Sequence, residues 1–122
     1  MTVTFELWQC RMDDGMFEEI IEENGVTKSE TLQRNLCFMP LRYWKIAKLT
    51  PCRAYYNKVY ERTDEIDQNL PIKRYLEQLF EEFNRNHPED YRGRSMTTSD
   101  VVIVNDIPYF CDSIGFEQLE KF

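Results

Sequence analysis

Polar and apolar residues alternate at the start of the chain, where Val3, Phe5 and Leu7 are separated by Thr4, Glu6 and Trp8. A period of two sends one set to each face of an extended chain, so Val3 to Cys10 predicts a half-buried strand. Asp13-Asp14-Gly15 is a turn signal. From Met16 to Asn24 the period changes. Phe17, Ile20 and Ile21 stand at helical spacing and Asn24-Gly25 would stop a helix, so one or two helical turns are expected; a second hairpin strand is the alternative. Val26 to Arg34 is polar and reads as a loop or a short helix led by Ser29. The short apolar run Asn35 to Met39 predicts a strand. Pro40 ends it and suits a first helical position. A short helix should follow, with Leu41, Trp44 and Ile46 or Lys48 over the core and Thr50-Pro51 as its end. Ala54 to Glu61 alternates again and predicts a strand, while the acidic stretch Asp64 to Leu70 predicts a loop.

After Pro71 the helical period is clearest. Ile72, Tyr75, Leu76, Leu79, Phe80 and Phe83 form one stripe, predicting an amphipathic helix over about 71–85 that ends within Asn84 to Pro88. Asp100 to Val104 is then a β-branched apolar run. Apolar residues on both pleat faces predict a strand covered on both sides, and therefore a central one. Asn105-Asp106 joins it to Ile107–Cys111 as a hairpin whose turn lacks glycine, leaving its type open. Pro108 donates no N–H, which confines it to an edge or to the start of its strand. Ser113 to Phe116 reads as a second turn, with Gly115 free to take positive φ. Together these elements predict an α+β domain: a mixed or antiparallel sheet of four to five strands carrying the 71–85 helix on one face.

Length and composition narrow this picture. A chain of 122 residues with 42% apolar content suits one folded domain over 1–122. The net charge of −7 is segregated. Residues 1–30 hold eight acids and two bases, 31–60 six bases and no acid, and 61–122 fourteen acids and seven bases. The four cysteines, at 10, 37, 52 and 111, have no Cys-x-x-Cys spacing. Together with a polar N-terminus unlike a signal peptide and no membrane-length apolar run, this leads to the expectation of a cytoplasmic protein. Its thiols are expected to be reduced and mostly buried.

The last third holds the most specific pattern. His87-Pro88-Glu89-Asp90-Tyr91-Arg92-Gly93 is followed by Ser95, by Ser99-Asp100-Val101-Val102, and by Tyr109-Phe110-Cys111-Asp112-Ser113-Ile114-Gly115-Phe116. In order and spacing these residues resemble the YodL-like family of small domains. Phe38-Met39-Pro40-Leu41 is a weaker echo, and Tyr55 to Tyr60 matches the family's mid-chain strand. The resemblance covers about 36–116. Arg94, Met96 and Ile114 depart from the family's usual residues, conservatively for the fold. Such domains occur in proteins of conjugative elements, phages and their bacterial hosts, chiefly Firmicutes, and the family supplies no catalytic motif. The resemblance therefore implies an accessory or host-modulating protein of a mobile element that works by binding macromolecules.

His87 with Asp90, and Ser95 or Cys111 as nucleophile, would make a small hydrolase or transferase. No local motif supports this, and a helix-ending role for His87-Pro88 is the simpler expectation. Asp100 could be a catalytic carboxylate, or could pair with Arg92 or Arg94. The isolated glycines 15, 25, 93 and 115 provide no phosphate loop. Arg42, Trp44, Lys45, Lys48, Arg53 and Lys58 lie in a basic–aromatic segment, 42–58, of the kind that binds single-stranded nucleic acid, although the whole chain is acidic. Glu18, Glu19, Glu22, Glu23, Glu77, Glu81 and Glu82 could imitate phosphate rows, with plain solubility as the simpler reading. The reading adopted is a non-enzymatic protein-binding module with no cofactor and no metal. Its contacts are expected among Tyr91, Arg92, Arg94, Asp112 and Phe116, in loops flanking the hairpin. A nucleic-acid module on 42–58 is the alternative.

Overall fold

A computed structural model describes residues 1–11 and 36–122. The readings made on Asp13–Gly15, Met16–Asn24, Val26–Arg34, Asn35 and the acidic cluster Glu18–Glu23 lie outside them. The described elements follow in the order β1 (Thr2–Cys10), α1 (Leu41–Ile46), β2 (Tyr56–Glu65), α2 (Ile72–Arg85), β3 (Val101–Val104), β4 (Ile107–Cys111) and β5 (Phe116–Gln118). A one-turn 3-10 helix, Arg53–Tyr55, precedes β2. The strands form one antiparallel sheet in the order β2-β1-β3-β4-β5. The α+β expectation holds, and β3 occupies the central position its two-sided apolarity demands.

Each face of the sheet carries its own core. Val3, Phe5 and Leu7 of β1, Val102 and Val104 of β3, and Tyr109 and Cys111 of β4 pack with Tyr75, Leu76, Leu79 and Phe83 of α2. The alternate residues Val101, Ile103 and Phe110 pack with Leu41 and Trp44 of α1, with Leu36 and with Leu119. The period of two thus divides the same strands between two helices. The edge of Phe83 meets Phe5 and Tyr91, and that of Trp44 meets Phe110, the tilted contacts that aromatic rings favour.

Three local expectations are corrected. Leu36–Met39 is a turn, not a strand: the Met39 N–H donates to the Leu36 carbonyl at 2.9 Å and Phe38 has φ +73°. Its carbonyls need no neighbouring strand because the Ser99 hydroxyl reaches those of Met39 and Leu36 at 2.8 and 3.2 Å. Helix α1 stops well before Thr50-Pro51. Lys48 takes φ +59°, and the N–H groups of Lys48 and Leu49 return to the carbonyls of Lys45 and Trp44. That pattern closes a helix even without glycine. Strand β2 runs on to Glu65, through residues read as loop. Arg62 and Asp64 share one side of it and are clamped from α2: Arg62 donates to both oxygens of Glu82 at 2.7 and 2.9 Å, and the Tyr75 hydroxyl donates to Asp64 at 2.7 Å. Opposite charges across the β2–α2 contact make these polar residues worth extending.

The β3–β4 turn is now defined. Asn105 and Asp106 have φ +46° and +70°, the type I′ geometry whose twist matches a hairpin. Asn105 also clasps β1: its N–H donates to the Thr4 carbonyl at 2.9 Å and its Oδ1 accepts the Thr4 N–H at 3.0 Å. Pro108 sits where the β4–β5 ladder ends. Its carbonyl accepts the Leu119 N–H at 2.9 Å, and the return bond is the one proline lacks. Asp106→Gly should therefore stabilise the protein by roughly 0.5–1 kcal/mol, and Asn105→Ala should cost about 1–2 kcal/mol. Urea unfolding measures both, and a destabilised Asp106→Gly variant would contradict the turn assignment.

Candidate functional site

Among the described residues, three polar ones are withdrawn from solvent: Gln9, Ser99 and Asp100. They meet where the end of β1 approaches the start of β3. Gln9 continues the inward face of Val3, Phe5 and Leu7, so its amide must find partners inside. Its Nε2 donates to the Asp100 carboxylate at 3.0 Å and to the Arg94 carbonyl at 3.0 Å. The Thr97 N–H donates to the same carboxylate oxygen, Oδ2, at 2.9 Å. Arg94 faces Oδ1 at 3.4 Å while its guanidinium lies over the Phe38 ring at 5.0 Å. Burial drives the Asp100 pKa upward to about 7, against these three donors, which favour the charged form.

Ser99 completes the cluster with φ +79°, a conformation that β-region residues avoid. Every polar group on it has a partner. Its N–H donates to the Cys111 carbonyl at 2.9 Å, its carbonyl accepts the Tyr56 hydroxyl at 2.6 Å, and its own hydroxyl secures the 36–39 turn. The Cys111 N–H returns to the Asp100 carbonyl at 2.8 Å. Nearby, the Tyr91 hydroxyl donates to the Arg94 carbonyl at 2.5 Å. Gly93 permits that closure, because any Cβ there would strike the Tyr91 ring. Burial pushes the hydroxyl of Tyr91 and the thiol of Cys111 up to about 12 each.

The expected contact residues divide sharply. Tyr91 and Phe116, expected in exposed loops, are only 2% and 6% exposed: both rings belong to the α2-side core. Arg94 is held by Asp100 and Phe38, and Asp112 is half-buried, accepting the N–H groups of Leu41 and Ser113 at 3.2 and 2.8 Å. Arg92 is exposed, its guanidinium donating to the carbonyls of Glu89 and Tyr91. In the basic segment, Trp44 is wholly buried and its ring is spent on Phe110. Arg42, Lys45, Lys48, Arg53 and Lys58 are exposed. Arg42 lies over Tyr43, Arg53 lies over the rings of Trp8 and Phe122, and Lys58 pairs with Glu61 at 3.1 Å. Lys45 shares the lining of a cavity of about 300 Å³ with Glu117 and Glu120, so acids interrupt the basic surface.

The acid–base set is not assembled. His87 is exposed, with its Nδ1 3.1 Å from the Pro88 carbonyl, and Asp90 accepts the Tyr60 hydroxyl at 2.8 Å. Cys111 is buried against the α2 layer. Among the described residues, no hydrogen bond joins His87 to Asp90, Ser95 or Cys111, and no three of His, Cys, Asp and Glu converge as metal ligands. No helix among them is long and apolar enough to cross a membrane.

One exposed apolar feature was not foreseen. The 112–115 turn is tightly made: the Asp112 N–H donates to the Gly115 carbonyl at 2.9 Å and Gly115 takes φ +73°. At its tip Ile114 is 93% exposed. Between this turn and α2 lies a cavity of about 180 Å³ lined by Glu77, Phe80, Cys111, Asp112, Ser113, Gly115 and Phe116. Phe80, part of the helical stripe, leans to its rim and is 39% exposed. Ile114 could have been singled out from sequence, since an isoleucine between Ser113 and Gly115 in a turn has no core to enter.

A family model of the YodL-like domain matches residues 26–122, well over half of the sequence, and the chain belongs to that family. No curated protein and no solved structure gives a significant match.

The buried carboxylate makes stability depend on pH. The raised pKa means that the folded state binds a proton at Asp100 more tightly than the unfolded chain does. The associated stability is present below the ordinary carboxylate pKa and is lost as pH rises from about 4 to about 7. The stability of wild type relative to Asp100→Asn should fall over that window, by on the order of 4 kcal/mol, and level off above it. Urea unfolding across pH measures this; a difference that does not change with pH would refute it.

Proposed function

We propose that this member of the YodL-like family is a non-enzymatic interaction protein that binds another protein between the 112–115 turn and the outer face of α2. The observation that carries the reading is Ile114, a large apolar side chain 93% exposed on a turn fixed by its own hydrogen bonds. A single exposed apolar residue is ordinary on a protein surface. Ile114 is distinguished by its setting: a cavity beside its turn, half-exposed Phe80 on the rim, and Phe116 and Cys111 in the lining. A rigid apolar anchor beside a pocket is how small interfaces concentrate their binding energy. Glu77 and Asp112 at the edge favour a partner that presents an apolar side chain flanked by basic ones. Of the contacts expected from sequence, Asp112 belongs to this surface and Phe116 supports it from below. Arg92, exposed near the end of α2, offers a second contact.

The family likeness supports placing such a binder among accessory or host-modulating proteins of bacterial mobile elements, chiefly in Firmicutes, acting in the cytoplasm on a host or element-encoded protein. The nucleic-acid alternative loses its best stacking ring because Trp44 is buried, and its exposed arginines already lie against Tyr43, Trp8 and Phe122. The hydrolase alternative lacks an assembled acid–base pair.

The test is a capture experiment from lysate of the natural host. Wild type should retain a discrete protein. Ile114→Asp should retain it at least about tenfold more weakly, as expected for an anchor worth over 1 kcal/mol. Because Ile114 touches so little of the protein, the variant's melting temperature should stay close to that of wild type. Equal retention by a folded Ile114→Asp protein would sink the proposed surface.

A further inference from the structure

We infer that the outer edge of β5 accepts an extended segment of another protein as a sixth strand, whose side chains divide between cavities on the two faces of the sheet. This sixth strand rests on the reading of the 112–115 turn and α2 as a protein-binding surface, and specifies the form of the partner. β5 lies at one end of the sheet and pairs with β4 alone. The Gly115 carbonyl accepts the Asp112 N–H, and the Leu119 N–H donates to the Pro108 carbonyl, both at 2.9 Å. Bonding alternates along an antiparallel pair. Residues 115, 117 and 119 therefore face β4, and the N–H and C=O groups of Phe116 and Gln118 face outward. Among the described residues, no hydrogen bond takes up those four groups. Gln118 is exposed, and so is Glu117 beside it. A row of unpaired backbone groups is a template for a further strand.

Two cavities flank this edge, one on each face of the sheet. On the α2 face is the cavity of about 180 Å³ lined by Phe80 and Phe116. On the α1 face is the cavity of about 300 Å³, lined by Leu41, Leu49 and Leu119 beside Lys45 and Glu117. Successive side chains of an added strand point to opposite faces, so they reach the two cavities in turn. Main-chain bonds then supply affinity, and the cavities select side chains. The other sheet edge differs: β2 carries Lys58, Glu61, Arg62, Asp64 and Glu65, charges of the kind that discourage pairing. Charge also decides between occupants. A second copy on the same edge, with Phe116 opposite Gln118, would set Glu117 against Glu117 and join two chains of net charge −7. Glu77 and Asp112 on the α2 side instead suit a foreign segment carrying basic residues. The occupant is a short extended segment with apolar residues on both faces and lysine or arginine among those that meet α2.

A displayed library of short random peptides is selected against the full chain, and a selected peptide is synthesised for titration. Gln118→Pro removes one outward N–H and puts a ring where the added strand would lie. It leaves the β4–β5 ladder intact, because that N–H does not bond to β4. Gln118→Pro should bind the peptide at least about tenfold more weakly than Gln118→Ala, which keeps the N–H. Melting temperatures establish that both variants are folded. N-methylation of the peptide, one backbone nitrogen at a time, should weaken binding at every second residue, and this arm uses wild-type protein alone. Strand addition is overturned if a folded Gln118→Pro protein binds as tightly as Gln118→Ala, if N-methylation shows no alternation, or if no peptide is selected. It is also overturned if wild type alone sediments as a dimer that Gln118→Pro dissolves, since a second copy would then hold the edge. A peptide weakened by Ile114→Asp but indifferent to Gln118→Pro would keep the anchor surface and remove the strand. One weakened by Gln118→Pro but indifferent to Ile114→Asp would keep the strand and remove the anchor.

Discussion

A carboxylate with no exposed surface dictates much of this structure. Asp100 enters a dry interior at the threshold of the central strand, where an unpartnered charge would cost several kcal/mol. The fold surrounds it with donors drawn from separate parts of the chain: Gln9 from β1, the Thr97 backbone one turn upstream, and Arg94 from the preceding loop. Each donor then needs its own support. The Arg94 carbonyl is claimed by Gln9 and Tyr91, the Tyr91 ring leaves room only for glycine at 93, and Phe38 lies under the Arg94 guanidinium. Ser99, held at positive φ, extends the same network to Tyr56 of β2 and to the turn before α1.

This network gives the most recognisable residues of the chain a structural role. Ser99, Asp100, Tyr91, Arg94 and Cys111 have the chemical range of a catalytic constellation, and a carboxylate with a pKa near neutrality is often found in one. Here the polar groups are directed at one another and at backbone. They fasten the last third of the chain to the first strand and to the 36–39 turn. On the outside of that scaffold, Phe80 of α2 and the 112–115 turn line a cavity, and Ile114 stands exposed at the tip of the same turn. The binding proposed above would use that outer surface and leave the polar network as its scaffold.

Much of the fold was legible because hydrophobic period reports burial directly. The alternation of Val3, Phe5 and Leu7, the 72–83 stripe and the two-sided Val101–Val104 run located β1, α2 and the central strand. The misread pieces depend on partners distant in sequence. Leu36–Met39 is apolar enough for a strand, but the Ser99 hydroxyl makes it a turn. Asp64 and Glu65 are polar enough for a loop, but pairing with Val3 and Thr2 of β1, with the Tyr75 hydroxyl of α2 on Asp64, makes them strand. Tyr91 and Phe116 sit among turn residues and yet are core, because Tyr91 folds back onto Phe83 of α2 and Phe116 opens β5 on the same face of the sheet. Gln9 was the overlooked signal: a polar side chain on the inward phase of a buried strand implies a polar partner within the core.

The Gln9–Ser99–Asp100 network belongs to the global folding unit and is not a locally opening site. Native-state hydrogen exchange in graded urea tests this most directly, through the amides of Thr97, Ser99, Asp100 and Cys111, all bonded within the network. These amides should exchange only through global unfolding, merging with those of β1 and α2 in both free energy and urea dependence. Exchange through a local opening, nearly independent of urea while β1 and α2 stay protected, would contradict it.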